Sequence, residues 1–203
     1  MKRISFEFFP PKTEQGKEKL LATQQKLQAK NPEFFSCTFG AGGSTRDNTR
    51  DMVNKLREQH GDTAPHLSCI GQSRDEILEL VNGYKAAGVT RIVALRGDLP
   101  SGMGYAQSEI KYADELVQLI RQETGDHFTL EVAAYPEMHP QARSFEDDLA
   151  HFKRKVDAGA NSGLPQYFYH ADAYGSYLDA LHNAGFHPPA HPATLPTPTL
   201  PPL

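Results

Sequence analysis

Residues 4–11, Ile-Ser-Phe-Glu-Phe-Phe-Pro-Pro, decide how the chain begins to fold. The stretch before Pro10 is apolar apart from one serine and Glu7, and this pattern predicts a strand that the proline ends. Side chains alternate between the two faces of a strand, so Phe6 and Phe8 share one face and Glu7 points to the other. Burying an unpaired carboxylate is costly. Glu7 is therefore expected to be protonated, to be paired or to face a cavity.

The composition of the chain limits what the protein can be. Its 203 residues suffice for one domain with a substantial core, and the net charge of −4 with scattered Lys and Arg does not favour nucleic acid as a partner. No apolar run approaches the length of about 20 residues that a membrane helix needs. The amino terminus leads directly into the first strand and lacks the pattern of a signal peptide, which predicts a cytoplasmic protein. Cys37 and Cys69 lie in apolar runs and are interpreted as reduced core thiols.

Short apolar runs alternate with amphipathic stretches at a spacing of about 30 residues, the length of a βα unit. The predicted strands are residues 4–9, 34–39, 66–70, 91–95, 128–135 and, weakly, 164–169. The predicted helices are residues 14–29, 45–60, 74–87, 108–124, 145–158 and 172–184. A capping box at Ser73 and Glu76, with Gly88 after the last turn, marks both ends of the third helix.

Six βα units predict a parallel sheet with helices outside it, and no Gly-rich phosphate loop follows the first strand to indicate a Rossmann or P-loop fold. In a βα barrel Glu7 would point to the axis near the carboxyl-end rim, where such barrels carry their chemistry. A complete barrel needs eight units, so the fold class is α/β, an incomplete (β/α)8 TIM-barrel type. The predicted domain is residues 1–186, and residues 187–203, with seven prolines, are predicted to form an extended or disordered tail.

Polar residues recur where the predicted strands end. They are Thr38, Arg96 and Asp98 around Gly97, Tyr135 and His139, and Gln166 in the sixth strand; Lys153, Arg154 and Lys155 end the fifth helix. Several alternatives are structural: Arg96 and Asp98 could form a local ion pair, and cations are favoured at helix carboxyl ends in any protein. The nine histidines lack paired metal-ligand spacing, and no nucleophile elbow occurs. Glu7 is the residue whose position most favours a function.

Six segments, in this order, resemble the bacterial-type methylenetetrahydrofolate reductases. They are SFEFFPPK, TFGAGGSTRD, APHLSCI, IVALRGDLP, VAAYPEMHP and KRKVDAGAN, and they span residues 4–161 with a weaker continuation to residue 169. The resemblance implies a (β/α)8 barrel that binds FAD without a covalent link. NADH or NADPH would reduce the flavin, which would then reduce 5,10-methylenetetrahydrofolate to 5-methyltetrahydrofolate for methionine synthesis. The order would be ping-pong, and the partners a folate and a nicotinamide nucleotide.

The resemblance also implies a role for each matched residue. Glu7 would be the general acid that assists protonation of the folate N10, opening the ring to an iminium that accepts hydride from the flavin. Asp98 would hydrogen-bond the folate and tune the flavin, and Gln166 would contact both folate and nicotinamide. The positions expected to line FAD are Thr38, Phe39, Ala41, His66, Arg96, Gly97, Asp98, Ala113, Tyr135, His139, Ala142, Asp148, His151, Arg154 and Lys155. Phe39 stands where tyrosine is common, and His151 replaces an expected asparagine.

The resemblance weakens after Asn161. Ser162-Gly163-Leu164-Pro165 is expected to interrupt the strand that the family has there, and no seventh or eighth strand is predicted beyond Gly185. A flavin-binding remnant that acts at most as an interaction module is therefore the alternative to an active reductase. A βα-barrel lyase that uses Glu7 and Lys155 without flavin is a third. An open sheet edge at the position of the seventh strand would invite association, which fits the non-catalytic remnant, and a homo-oligomer is compatible with the sequence. The sequence does not distinguish NADH from NADPH.

Overall fold

The computed structural model describes residues 4–39, 43–98, 108–166, 168 and 170–185, without the side chains of residues 43–47 and 60. Strands and helices alternate along it. The strands are β1 (Ser5–Phe8), β2 (Phe34–Cys37), β3 (Thr63–Ser68), β4 (Arg91–Leu95), β5 (Thr129–Ala134) and β6 (Ser162–Pro165). The helices are α1 (Glu14–Gln28), α2 (Gly43–His60), α3 (Arg74–Ala86), α4 (Ala113–Thr124), α5 (Phe145–Asp157) and α6 (Ala171–Asn183). The predicted tail, residues 187–203, lies outside the described residues, so the predicted domain boundary stays a prediction.

All six strands are parallel, and each pairs with its neighbours in the chain, in the order β1 to β6. The sheet curls into a half-barrel with the helices on its outer face, which confirms the predicted incomplete TIM-barrel type. The main core lies between the sheet and the helices, where residues such as Ile92, Leu130 and Val132 are fully buried. Cys37 and Cys69 are both buried free thiols in this core, as predicted. The described part of the chain contains no helix both long and apolar enough to cross a bilayer.

The inner face of the half-barrel carries a second, smaller apolar cluster. Phe34, Ala64 and Val93 form it, with Leu95 and Leu164 packed against them. The outer face of the first two strands is aromatic, because Phe35 stacks on Phe6 and Phe8. Glu7 therefore points inward, as the alternation of side chains predicts.

The start and stop signals of the helices are largely confirmed. The Ser73 hydroxyl accepts from the Glu76 N–H while the Glu76 carboxylate accepts from the Ser73 N–H, which completes the predicted capping box of α3. Gly88 then turns the chain with a φ of 74°. Helix α4 begins at Ala113 and not at residue 108, since the Glu115 carboxylate accepts hydrogen bonds from the N–H groups of Lys111 and Tyr112, just before the helix.

Two predicted strands are displaced along the chain. The third strand begins at Thr63, three residues before the predicted start, and includes Pro65, which pairs in register with Cys37. The sixth was predicted at residues 164–169 and lies at Ser162–Pro165. The expected interruption there was wrong, because Gly163 leaves room for an aromatic side chain of α5 and Pro165 is the last strand residue.

Candidate active site at the carboxyl ends of the strands

Two adjoining cavities open at the carboxyl ends of the strands. The first, of about 220 Å³, lies on the inner face of the half-barrel and is lined by residues of all six strands or their ends. The second, of about 720 Å³, extends from β4 and β5 across the beginnings of α4 and α5. Leu95, Ala133 and Gln166 border both cavities, so the two form one continuous cleft.

Glu7 and His66 form the polar wall of the first cavity. The Glu7 carboxylate comes from β1 and its side chain is 50% exposed, yet partial desolvation raises its pKa above the ordinary value. The His66 ring is only 7% exposed, and its Nε2 lies 3.6 Å from Glu7 Oε2. Burial lowers the pKa of His66 to about 4, so the ring is neutral near pH 7. The carboxylate thus faces a cavity beside a neutral imidazole.

The end of β2 borders the same cavity through Thr38 and Phe39. The Thr38 N–H donates to the Phe8 carbonyl over 2.9 Å, and the Thr38 carbonyl accepts from the Thr49 hydroxyl of α2 over 3.0 Å. The N–H and the carbonyl of Thr38 are therefore both held by hydrogen bonds, and the chain after β2 continues beside β1 up to the rim. Ala41, the next predicted site residue, lies outside the described residues.

Arg96, Gly97 and Asp98 turn the chain away from β4 at the floor of the second cavity. Gly97 has a φ of 87°, and a Cβ there would lie 1.9 Å from the Ser68 hydroxyl oxygen, so the turn requires glycine. The Arg96 guanidinium donates to its neighbour's carbonyl over 3.2 Å and to Gln141 Oε1 over 2.7 Å. Arg96 thereby ties the turn after β4 to the loop after β5, and exposed Asp98 borders the cavity.

Tyr135 and His139 follow β5, with their rings edge to face and the ring centroids 4.5 Å apart. The His139 N–H donates to Asp148 Oδ2 over 3.0 Å, which anchors this loop to the first turn of α5. Desolvation is the main cause that raises the pKa of Tyr135, with the Asp148 charge second. Desolvation and then the Arg96 charge lower the pKa of His139. The two mutually perpendicular rings are neutral near pH 7 and border the second cavity.

Cationic side chains of α5 complete the second cavity. Lys155 Nζ donates to the Ala133 carbonyl over 2.6 Å and lies 5.9 Å from the Tyr135 ring centroid. Burial lowers the pKa of Lys155 to about 8. Arg154 is half exposed, 4.0 Å from Asp114, and contacts the ring of His151. Lys155 is thus largely buried at this helix end, while exposed Lys153 pairs with Asp157 over 2.5 Å.

The structure brings the described predicted site residues together around the two cavities. Glu7, Thr38, Phe39 and His66 border the first, and Gln166 borders both. The second is bordered by Arg96, Gly97, Asp98, Ala113, Tyr135, His139, Ala142, Asp148, His151, Arg154 and Lys155. Their individual roles stay predictions.

Five polar residues of the second cavity were missed in the sequence: Tyr112, Asp114, Gln141, Arg143 and Asp147. Asp114 and Asp147 lie in the first turns of α4 and α5, which begin at the carboxyl-end rim of a βα barrel. Their position in the first turn of a helix at this rim was therefore a sequence signal by which these two residues could have been found. The remaining three lie in connections between strands and helices and carry no pattern of their own.

A half-barrel of βα units with a cleft at the carboxyl ends of its strands defines an α/β protein of the TIM-barrel type. The family model described as "Methylenetetrahydrofolate reductase" matches residues 1–201. The chain belongs to the methylenetetrahydrofolate reductase family.

The similar proteins include three reductases. The 5,10-methylenetetrahydrofolate reductase of Salmonella typhimurium is 42% identical over 194 residues, which cover 95% of this chain and 64% of the relative. That of Escherichia coli is 41% identical with the same coverage. A Zea mays protein named methylenetetrahydrofolate reductase (NADH) 1 is 38% identical over 95% of this chain and 35% of its own length. The chain thus spans less than two thirds of these relatives.

Solved structures share the fold at low sequence identity. An uncharacterised Clostridium thermocellum protein, described as binding two copies of 5-methyl-5,6,7,8-tetrahydrofolic acid, has a TM-score of 0.61 at 17% identity, over 93% of this chain and 64% of that one. A 2,3-dimethylmalate lyase has a TM-score of 0.60 at 12% identity, over 93% and 65%. Such likeness shows the fold alone.

Proposed function

We propose that this chain carries the catalytic face of a flavin-dependent methylenetetrahydrofolate reductase, which converts 5,10-methylenetetrahydrofolate to 5-methyltetrahydrofolate with NADH or NADPH. The names of the relatives support the reaction, since the chain is 41–42% identical to two bacterial reductases. One structural observation carries the proposal. A carboxyl group with a raised pKa faces an inner cavity that opens into a larger one, which is bordered by charged side chains of both signs, Arg154 and Lys155 among them. An acid and an adjacent cofactor cleft are the two parts that this reaction requires.

The donor set of the second cavity fits FAD. Arg154 and Lys155 are suited to the diphosphate, because charge-assisted hydrogen bonds to phosphate are strong. The aromatic rings of Tyr135 and His139, which border this cavity at right angles to each other, offer one face and one edge for contact with an aromatic ring system. A volume of about 720 Å³ lies in the range of natural ligand sites. When bound there, FAD supplies hydride that it takes from the nicotinamide nucleotide.

The chain's own residues then act on the folate. Glu7 donates a proton to N10, and the raised pKa keeps the acid form available closer to neutral pH. Gln166, which borders both cavities, is placed to hydrogen-bond the folate and the nicotinamide in turn. Asp98, which borders the second cavity, hydrogen-bonds the folate. The product would supply methionine synthesis in the cytoplasm, with a homo-oligomer as the expected assembly.

The test separates the two half-reactions in the anaerobic protein. In Glu7→Gln, NADH should still bleach the yellow flavin absorbance, whereas reoxidation by 5,10-methylenetetrahydrofolate should slow by about 10²- to 10⁴-fold, the usual contribution of a general acid. Glu14→Gln is the matched control, because Glu14 is an exposed carboxylate on α1 whose side chain is 76% exposed. It should behave as the unaltered protein in both steps.

Three results would contradict the proposal. Equal loss of both half-reactions in Glu7→Gln would remove Glu7 from the acid role. A colourless unaltered protein that takes up no added FAD would favour the non-catalytic remnant. A flavin that NADH reduces but that folate does not reoxidise in the unaltered protein would show that this chain lacks the reductase activity.

A further inference from the structure

The Nε2 atom of His66 has no hydrogen-bond partner in the described part of the chain, although it is buried. An unpartnered polar atom in a protein interior is costly, so natural structures rarely keep one without a use. The nearest carboxylate oxygen is Glu7 Oε2, at 3.6 Å. This separation is slightly beyond a hydrogen bond, and a small rotation of the half-exposed Glu7 side chain closes it. Active-site hydrogen bonds are often this long before the substrate binds.

The sheet is built so that His66 can reach Glu7 from two strands away. In register, Glu7 lies opposite Ser36 of β2, and Ser36 lies opposite Ala64 of β3. His66 follows Ala64 by two residues, so it points to the same inner face. Ser36 is only 3% exposed and is small, which leaves the space above it for the imidazole. A larger residue at position 36 would separate the acid from the histidine.

The electrostatic surroundings of Glu7 are simple. Among the described residues that border the first cavity, Glu7 and His66 are the titratable pair, and the other polar side chains there are Thr38 and Gln166. On the neighbouring strand, burial and then the Glu7 charge raise the pKa of the Cys37 thiol to about 12, so Cys37 stays neutral. The buried imidazole of His66 is neutral too, since its pKa lies near 4. The protonation of Glu7 therefore depends on desolvation and on whether His66 Nε2 forms a hydrogen bond with its carboxyl group.

We propose that His66 is the positioning residue of the acid: its Nε2 is unprotonated and, before the folate binds, accepts a hydrogen bond from the protonated Glu7 carboxyl group. This hydrogen bond keeps Glu7 protonated inside the cavity until the folate N10 replaces Nε2 as the acceptor and takes the proton. This role rests on the proposed function, in which Glu7 is the acid. A cationic histidine at this place would do the opposite, since a positive charge favours the carboxylate. The proposed role therefore requires the burial that keeps His66 neutral. This role differs from the cofactor contact that the family resemblance implies for His66.

The test measures the titration of Glu7 directly, without substrate. Protein labelled with ¹³C at the glutamate carboxyl carbons is titrated by NMR, and the spectrum of Glu7→Gln assigns the Glu7 signal. In His66→Phe the Glu7 midpoint should move to lower pH by about one unit, the size of one lost hydrogen bond. His66→Gln offers an amide oxygen as acceptor and should restore most of the midpoint. His127→Phe, at the opposite end of the sheet, is the control and should leave it in place.

A second measurement uses the unaltered protein, so it does not depend on how the variants fold. The ¹⁵N signal of His66 Nε2 should be that of an unprotonated ring nitrogen, and it should change as Glu7 titrates. A Glu7 midpoint that stays or rises in His66→Phe, or an Nε2 that carries the proton, would overturn the proposal. Neither measurement needs turnover. A failure of the proposal about His66 can therefore be distinguished from a failure of the reductase assignment, which the half-reactions test.

Discussion

The side chain of Lys155 is largely buried, and its ammonium group donates a hydrogen bond to the Ala133 carbonyl. Burial lowers its pKa from 10.5 to about 8. Between these values the folded protein has released the proton while the unfolded chain still binds it. The free energy of unfolding therefore rises with pH in this window, whereas below pH 8 the dependence on pH disappears and the full cost of burying the charged lysine remains.

We expect Lys155→Met to lose this dependence. Between pH 7 and pH 9.5 the free energy of unfolding of the unaltered protein should gain about 2 kcal/mol relative to Lys155→Met, from about 1.5 pH units at 1.36 kcal/mol each. Urea unfolding at a series of pH values, in protein freed of any bound cofactor, measures the difference. Lys153→Met, at the exposed neighbour, should show no such change. A constant difference for Lys155→Met would mean that the lysine stays charged throughout.

The residues of the candidate site could be predicted in so far as they depend on local pattern. The alternation of residues 4–9 sufficed to place Glu7 on the inner face. What local pattern could not supply was its neighbour, because His66 is 59 positions away along the chain and reaches Glu7 only through the register of three strands. The burial of Lys155 was not evident from the sequence either. Its basic neighbours in the sequence indicate solvent, and the cover comes from Tyr135 and Phe152.

Strand β6 shows how an element can depend on a residue that looks unsuitable for it. Gly163 lies in the strand, and a Cβ built there would be 2.8 Å from Cζ and 2.9 Å from Cε2 of Phe152. Phe152 is 2% exposed and packs against Tyr177, with ring centroids 6.1 Å apart. The ring therefore has little room to withdraw. The sequence alone predicted an interruption here, because the ring that requires the glycine belongs to α5.

Gly163→Ala is expected to destabilise the protein by about 1–3 kcal/mol, the usual cost of overpacking a filled core. Gly175→Ala is the matched control: Gly175 lies in α6, nothing is within 4 Å of a Cβ there, and alanine favours a helix by about 0.5–1 kcal/mol. Thermal unfolding of the two variants should therefore shift in opposite directions. A neutral Gly163→Ala would indicate that β6 can move away from α5.

The alternation of the whole chain predicted the six βα units, but not what joins their amino ends. Arg91, at the start of β4, contacts Glu131 of β5 and lies 3.2 Å from Glu33 and 3.4 Å from Asp62. Its guanidinium also covers the Phe34 ring at 4.4 Å. One side chain thus connects four consecutive strands or the turns that lead into them, on the inner face and at the end opposite the cavities. These partners are scattered over 99 positions, and no local pattern relates them.

The loss of Arg91 should weaken the entire sheet, because Glu131 is fully buried and would lose the cation that it contacts. We expect Arg91→Met to lower the free energy of unfolding by about 3–5 kcal/mol. The double variant Arg91→Met/Glu131→Met should recover a large part of this loss, since replacing both members of a buried pair by apolar residues is often neutral. Arg74→Met, on the exposed side of α3, should change the value by less than about 0.5 kcal/mol. If the double variant is as unstable as the single one, the penalty comes from the lost packing over Phe34 and not from the unpaired carboxylate.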